Sequence, residues 1–303
     1  MTILTTLRST LSRCVSDQHK RAVLSKINEA KRWLAAALLG YDGAQLKARL
    51  RNAGIAEGDT ILVHSNFKPD SGFKGAPADL VNALAEAVGE KGNLLMVSRP
   101  FRGAAYDHLA LGKPFNVRKT LSMMGLVTEM FRRRQGTFRS LHPTHPVLAH
   151  GKDARWLVAD HERCLYPCGR GSPFEKFHQL KGKLLFFDVP FRSITFFHYV
   201  EDLLKERLPF PVYNERLFSV PVIDGNGENR VVQTYAFSND VRRMAEKLEA
   251  AMERQGLIRH GRVGNSRFRL AGAEDVVACF TAMVEAGNLP YDRTTGGRHP
   301  DHE

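Results

Sequence analysis

Two kinds of hydrophobic pattern alternate along the N-terminal and central parts of this chain. Short, nearly continuous apolar runs predict strands that are buried on both faces, at 60–65, 93–97 and 183–189. Apolar residues at steps of three and four predict helices between and beside these runs, over 44–54, 78–88, 121–134 and 154–161. Because strands and helices alternate, we expect an α/β fold with a central mixed β-sheet flanked by helices.

The C-terminal part has a different pattern. Residues 218–223 and 230–237 flank a Gly- and Asn-containing turn at 224–227, which predicts a β-hairpin. Further along, the periodicity predicts a helix over 240–255, one strand-like segment over 257–270 and a helix over 273–286. The polar segment 99–120 follows neither period, and we expect a long surface loop there.

The chain is long enough for one large domain with extensions. It has 303 residues, of which 43% are hydrophobic. We assign the main domain to 43–292. Residues 1–42 place Leu, Ile and Ala at helical steps among Lys and Arg, which predicts an N-terminal helical extension, and 293–303 are expected to be a flexible tail.

No targeting, membrane or disulfide signal competes with a globular domain. The N-terminal residues mix charges with apolar positions, and the apolar runs are much shorter than a bilayer span. We therefore expect a cytoplasmic protein. The four cysteines give neither a disulfide framework nor a complete zinc site, so we interpret them as reduced thiols and expect no metal.

The net charge of +12, from 44 basic and 32 acidic residues, indicates an anionic partner or an anionic surface. Nucleic acid is one candidate. The basic residues are scattered, however, and no helix-turn-helix, zinc-finger or ribonucleoprotein pattern collects them, so nucleic acid is not expected. A phosphate-bearing cosubstrate is another anionic partner that would account for the positive charge of the protein.

The segment 183–201 carries the main candidate chemistry. A strand that ends at Pro190 is followed by a helix that begins near Thr195, on which His198 and Glu201 occupy positions i and i+3 and share a face. A carboxylate so placed orients an imidazole whose pKa lies near neutrality, which is the minimum equipment of a general base. A histidine that only caps a helix or fills a core is the alternative.

Two further segments have residues suited to such a site. In 139–147 (RSLHPTHPV), prolines stiffen a loop that carries two histidines and Thr144. In 169–173 (GRGSP), Ser172 takes the cap position of a helix, and free N–H groups at a helix start favour phosphate or an oxyanion. The hydroxyls of Thr144 and Ser172 and the backbone of Gly171 and Ser172 are candidate oxyanion stabilisers. For both segments a structural role is the alternative.

Taken together, four ordered motifs resemble the aminoglycoside 3-N-acetyltransferase family: VHSNF at 63–67, RSLHPTHPV at 139–147, PCGRGSPFEK at 167–176 and Thr-x2-His-x2-Glu at 195–201. The similarity runs from about 41 to 292. It implies that family's own α/β fold and transfer of an acetyl group from acetyl-CoA to an amine. It also implies that His198 and Glu201 are the catalytic pair, and that the CoA and acetyl-transfer region is lined by Ser65, Arg139, Ser140, His142 and Ser172.

Three positions depart from the family's usual pattern. Pro146 stands where the family usually has Ser, Asn93 where Thr is common, and Arg192 where an acid is frequent. Arg192 precedes the catalytic pair, and a guanidinium there repels the several ammonium groups of an aminoglycoside. We therefore expect Arg192 to face the acceptor, and amine acetylation is better supported than antibiotic resistance. A solvent-exposed Arg192 without a role is the alternative.

The leading hypothesis is an acetyl-CoA-dependent N-acetyltransferase acting on an amino sugar or aminoglycoside-like amine, with His198 as general base. Two other functions stay open. One is a polyanion- or nucleic-acid-binding protein without catalysis, and the other is a hydrolase that uses the same His/Glu pair on water. A homo-oligomer is compatible with the sequence.

Overall fold

The computed structural model describes residues 37–293 and, ahead of them, 25, 26, 29 and 33–35. Most of the predicted extension over 1–42 lies outside the described residues, as does the predicted tail beyond 293. Among the described helices, none combines the length and the apolar character that a membrane span requires.

The strands predicted at 60–65, 93–97 and 183–189 and the helices predicted at 44–54 and 78–88 are present. In chain order the strands are β1 (Thr60–Ser65), β2 (Asn93–Val97), β3 (Phe115–Asn116), β4 (Phe138–Arg139), β5 (Val147–Gly151), β6 (Lys183–Phe187), β7 (Tyr213–Ile223), β8 (Asn229–Phe237), β9 (Val241–Arg243), β10 (Ile258–Val263), β11 (Ser266–Gly272) and β12 (Tyr291–Arg293). The α-helices are α1 (Gly43–Asn52), α2 (Pro77–Val88), α3 (Ala105–Ala110), α4 (Leu126–Arg133), α5 (Ala154–Val158), α6 (Pro173–Gln179), α7 (Phe197–Leu203), α8 (Ala245–Arg254) and α9 (Ala273–Glu285).

A seven-stranded mixed sheet forms the centre, in the order β10-β11-β6-β1-β2-β5-β4. The three middle strands, β6, β1 and β2, are parallel, and the strands outside them pair antiparallel. Parallel neighbours need long crossover connections, which here contain helices. The predicted fold class, a mixed sheet flanked by helices, is confirmed.

Both faces of the central sheet are buried, which explains the continuous apolar runs in its strands. Along β1, Ile61 and Val63 face a core formed with α1, α2 and α4, whereas Leu62 faces the opposite core. In β6, Leu185 and Phe187 share the first core, and Leu184 and Phe186 the second. Each fully buried side chain of this size contributes roughly 1.5–3 kcal/mol relative to exposure.

A smaller sheet of β3, β7 and β8 and a two-stranded ribbon of β9 and β12 lie outside the central sheet. The hairpin of β7 and β8 confirms the predicted one, with longer strands. Three other predictions were wrong. Segment 99–120 contains α3 and β3, segment 240–255 divides into β9 and α8, and segment 257–270 is the antiparallel pair β10 and β11. The short strands β3 and β9 are fixed by pairing with the distant strands β7 and β12, whereas β10 and β11 are adjacent strands whose turn at 264–265 the sequence analysis did not recognise.

Gly151, the last residue of β5, tests the packing of the sheet. Its φ of 128° is unfavourable for other residues, and a Cβ there meets the carbonyl oxygen of Gly92. We expect Gly151→Ala to lower the free energy of unfolding, measured in urea, by about 3 kcal/mol or more. The control is Gly103→Ala, because Gly103 has a φ of 78° but open space around it. It should cost only about 1–2 kcal/mol, and equal losses in both variants would show that the contact with Gly92 is unimportant.

Candidate active site

Two cavities open on the segment that follows β6. The larger, of about 490 Å³, lies at the C-terminal ends of β1 and β6, and its lining includes Ser65, Ser193 and Thr195. The smaller, of about 280 Å³, is lined by Arg192, His198 and residues of β9 and α8. The segment therefore contributes residues to both cavities. Ligands of open α/β sheets commonly bind at the carboxyl ends of the strands.

Asp188 directs this segment away from the sheet. It directly follows β6 with a φ of 55°, a left-handed conformation that Asp tolerates better than most residues. Its Oδ1 accepts a hydrogen bond from the backbone N–H of Arg267 at 3.1 Å and one from Lys68 Nζ at 3.2 Å. These contacts fix the turn after β6, and with it the start of the chain that leads to His198.

His198 and Glu201 meet as the sequence predicts. Both lie on α7, and Nδ1 of His198 is 3.0 Å from Oε2 of Glu201. Glu201 is fully buried, whereas the His198 side chain is 20% exposed and lines the smaller cavity. Since a carboxylate accepts hydrogen bonds, Nδ1 carries the proton and Nε2 keeps its lone pair.

Arg243 of β9 is a third member of the site. Its Nε lies 2.9 Å and 3.0 Å from the two carboxylate oxygens of Glu201, and its Nη1 donates to the carbonyl oxygen of Ser238 at 2.9 Å. A buried carboxylate is costly unless it is paired and hydrogen-bonded. Arg243 and His198 together supply that pairing.

The electrostatics of the triplet favour a neutral imidazole. Burial lowers the pKa of His198 below its ordinary value; Glu201 opposes this shift, and Arg243 and Arg99 add to it. Burial by itself raises the pKa of Glu201, but Arg243 and His198 outweigh burial and hold it below its ordinary value. At neutral pH His198 is thus an unprotonated ring beside an ionised carboxylate.

Aromatic rings confine the imidazole of His198. Phe237 stacks on it with ring centroids 4.2 Å apart, and His145 approaches edge-on at 5.8 Å. His145 is buried, and burial lowers its pKa well below the ordinary value, with His198 adding to the effect. A ring held between neutral neighbours has little freedom to leave the position that Glu201 sets.

A buried chain of hydrogen bonds lies behind this site. It involves residues 142–146, the HPTHP loop, and the turn at 161–167. Ser140 accepts from the backbone N–H of Val147 and contacts Nδ1 of His161, both at 2.8 Å. Nε2 of His161 is 2.8 Å from the carbonyl oxygen of Pro167 and must therefore carry the ring proton. Ser140 consequently donates to His161.

His142 and Thr144 continue this chain towards His198. The ring of His142 stacks on His161 at 4.5 Å, and its Nδ1 lies 3.2 Å from Oγ1 of Thr144. The same hydroxyl lies 3.1 Å from Nδ1 of His145. Ser140, His142 and Thr144, predicted to line the cofactor region, are all buried, and the two hydroxyls and Nδ1 of His142 contact polar atoms of the protein. Their contacts support a structural role, and contact with a cosubstrate stays a prediction.

Arg139 points into the protein. Its Nη1 and Nη2 donate to the carbonyl oxygens of Thr120 at 2.5 Å and Ser98 at 2.7 Å, and the guanidinium lies over the ring of Phe115. Burial lowers its pKa to about 9. These contacts join β4 to the 98–120 segment, and a role in holding CoA phosphates stays a prediction.

The turn before α6 was predicted to offer free N–H groups. The prediction for its backbone was wrong, because Gly171 N–H donates to Glu175 at 2.7 Å and Ser172 N–H to the carbonyl oxygen of Gly169 at 3.1 Å. Ser172 does occupy the N-cap position of α6, but its side chain makes no capping hydrogen bond. Its hydroxyl is buried without a hydrogen-bond partner among the described residues, so its predicted role stays a prediction.

Of the other predicted residues, Ser65 lines the larger cavity and Arg192 the smaller one, beside His198. Sequence reasoning missed Arg243 and His161. Arg243 lies in a segment read as helical, and no local pattern links it to Glu201. His161 was read as the end of a helix, although its neighbours in the cysteine- and glycine-rich turn at 164–172 mark a compact loop that needs polar contacts.

Comparison with known proteins shows which sequences this chain resembles. The model of the family described as aminoglycoside 3-N-acetyltransferase matches residues 62–285. Aminoglycoside N(3)-acetyltransferase III of Acinetobacter baumannii is 28% identical over 261 residues, covering 78% of this chain and 88% of that protein.

Solved structures share the fold. AAC-VIa bound to sisomicin superposes with a TM-score of 0.69 at 26% identity, covering 82% of this chain and 98% of that one. AAC-IIIb in its binary complex with CoASH has a TM-score of 0.70 at 23% identity, covering 85% and 99% of the two chains.

The buried histidines make stability depend on pH. Burial lowers the pKa of His161 to about 3 and that of His64 to about 4, below the value near 6.5 of an unfolded chain. Below about pH 6.5 the unfolded state therefore binds protons that the folded state does not, and stability falls with falling pH. We expect His161→Gln to reduce the slope of unfolding free energy against pH by about 1.4 kcal/mol per pH unit between about pH 5.5 and 4.

The control is His260→Gln on β10, where the ring is exposed to water. Urea unfolding at a series of pH values measures both variants. A slope that His161→Gln leaves as steep as in the wild-type protein would contradict a neutral, buried His161.

Proposed function

The chain belongs to the aminoglycoside 3-N-acetyltransferase family, and we propose that it moves the acetyl group of acetyl-CoA to an amine of an amino sugar or aminoglycoside-like acceptor, with His198 as the general base. Membership makes the chain an acyltransferase. Acetyl-CoA as cosubstrate is supported by the related AAC-IIIb, which binds CoASH. The acceptor and the role of each residue are the parts that experiment must test.

One observation carries the proposal. Glu201 occupies Nδ1 of His198 at 3.0 Å, which leaves Nε2 as the ring nitrogen available to an acceptor in the smaller cavity. An amine is an ammonium ion at neutral pH and attacks a thioester only after losing a proton. A neutral imidazole beside the amine accepts that proton, and such catalysis contributes about 10²–10⁴ in rate.

The reaction then needs no covalent enzyme intermediate. His198 first passes the ammonium proton to water and is neutral again. As the neutral amine nitrogen then bonds to the thioester carbon, the carbonyl π electron pair moves to oxygen, and Nε2 of His198 takes a second proton from the nitrogen, which has become positively charged. Collapse of the intermediate breaks the carbon–sulfur bond, and the CoA thiolate receives the proton from His198. The imidazolium formed in between is stabilised by Glu201, whose buried carboxylate keeps its hydrogen bond to Nδ1 throughout.

The two cavities suit the two substrates. We assign the thioester arm of acetyl-CoA to the larger cavity, because it lies at the C-terminal ends of β1 and β6 and is lined by Ser65 and Thr195, two of the family-motif positions. The acceptor belongs in the smaller cavity with His198. The segment 190–198, which lines both, is where the amine and the thioester meet.

The direct test is the release of free CoA from acetyl-CoA in the presence of a panel of amines, with the acetylated product identified by mass spectrometry. The proposal requires release that depends on the acceptor. Equal release of CoA without an amine would instead establish a hydrolase. If no amine in the panel caused release of CoA, the proposed activity would be refuted.

We expect His198→Asn to lower kcat about 10²–10⁴-fold, because the amine proton loses its acceptor. Glu201→Gln should lose less, because the ring keeps a hydrogen-bond partner at Nδ1. The measurement is steady-state CoA release, and the control is the rise of melting temperature with acetyl-CoA, which both variants should retain because binding to the folded state stabilises it. Near wild-type turnover in His198→Asn would refute the assignment of the base.

The pH profile tests Arg243 separately. Activity should fall as pH drops through the pKa of His198, which lies below its ordinary value. Arg243→Gln removes a positive charge that lowers this pKa, so the acid limb of kcat/KM should move to higher pH by about one unit.

The matched control is Arg207→Gln, since Arg207 is exposed beyond α7 and pairs with Glu285. Its acid limb should coincide with that of the wild-type protein. If Arg243→Gln also left the limb in place, Arg243 would not act on the protonation of His198.

A further inference from the structure

The cavity beside His198 is rich in arginine. Arg192 reaches it from the short 3-10 turn after β6, and Arg242 and Arg243 reach it from β9. Glu246, in the first turn of α8, is the one carboxylate among its described lining residues. Because Arg243 is paired with the buried Glu201 and Glu246 offsets one of the other two guanidinium groups, the cavity of about 280 Å³ keeps a net positive charge.

Among the described residues, Arg243 is the arginine of this cavity whose side chain is paired within the protein. Arg243 holds the buried Glu201 at 2.9 Å. Arg192 and Arg242 are exposed at the cavity, and neither forms an ion pair or a side-chain hydrogen bond with another residue in the described part of the chain. Two guanidinium groups are thus available to a ligand at the mouth of the cavity that holds the candidate base.

We propose that the acceptor carries an acidic group, a carboxylate or a phosphate, which Arg192 and Arg242 bind while the amine meets His198. The inference rests on the proposed acetyl transfer and names its class of acceptor. Guanidinium groups bind carboxylate and phosphate through pairs of parallel hydrogen bonds, which gives orientation as well as affinity. Anchoring the acid at the mouth of the cavity fixes which amine of the acceptor reaches Nε2.

The same charges disfavour a polycationic acceptor. The related AAC-VIa binds sisomicin, which carries several amines. Bringing such a molecule between Arg192 and Arg242 costs Coulomb energy that grows as water leaves the cavity. Glu246 offsets one positive charge and leaves the other unbalanced. The cavity therefore discriminates by repulsion as well as by attraction.

The test compares three monosaccharide acceptors of different charge with a polycationic aminoglycoside. Acetyl-CoA is supplied with glucosamine, glucosamine 6-phosphate, 2-amino-2-deoxyglucuronic acid and kanamycin, and kcat/KM is measured for each. We expect the better of the two acidic sugars to exceed glucosamine by at least about tenfold, and kanamycin to fall below both acidic sugars. The comparison of glucosamine 6-phosphate with 2-amino-2-deoxyglucuronic acid shows whether the site prefers a phosphate or a carboxylate.

Variants then test whether Arg192 and Arg242 cause the preference for an acidic sugar. In the double variant Arg192→Gln/Arg242→Gln we expect the preference for the acidic sugar over glucosamine to disappear, mainly through KM. The single variants should be intermediate. In the wild-type protein the preference should shrink as salt is raised, because the guanidinium groups are exposed. The control is Arg49→Gln on α1, an exposed arginine that lines neither cavity, and its preference should equal that of the wild-type protein.

The outcomes are distinguishable. Acetylation of glucosamine or kanamycin with no preference for an acidic sugar, or a preference that the double variant keeps, would overturn this inference and leave the acetyltransferase intact. Failure to acetylate any of the four acceptors would refute the inference together with the proposed activity on amino sugars.

Discussion

The buried carboxylate of Glu201 is the interaction on which the site depends. Removing an ionised carboxylate from water costs several kcal/mol even after the protein relaxes, and it is held in place by His198 on its own helix and Arg243 from β9. The position of His198, the proposed base, is thereby tied to the position of a distant strand. A change that displaces β9 exposes or unpairs the carboxylate and alters the charge felt by the imidazole at the same time.

The parts of the fold that follow local rules could be predicted from sequence. The bounds of β1 and β2 coincide with their apolar runs, and His198 and Glu201 meet because both lie on one helix. Arg243 could not be found in this way. A three-residue strand shows no period of its own, and Val241–Arg243 becomes a strand only by pairing with Tyr291–Arg293.

The family motifs show a second limit of sequence reasoning. They identify positions that matter, but they do not say whether a side chain faces a ligand or the protein. Ser140, His142 and Thr144 form a buried chain of contacts with His161 and His145, whereas Ser65 and Arg192 line cavities. The difference arises from packing around the rigid HPTHP loop, where each buried polar atom needs a partner.

The pairing of β9 with β12 also has a consequence for the order in which the protein assembles. The helix that carries His198 and Glu201 leaves the ribosome well before Tyr291–Arg293 is synthesised. Until then β9 lacks its described partner strand, and Glu201 has no firmly placed counter-charge. A nascent chain can complete the central strands β6, β1 and β2 while the proposed catalytic centre is still incomplete. The central strands can thus form before Glu201 and His198 reach their final arrangement.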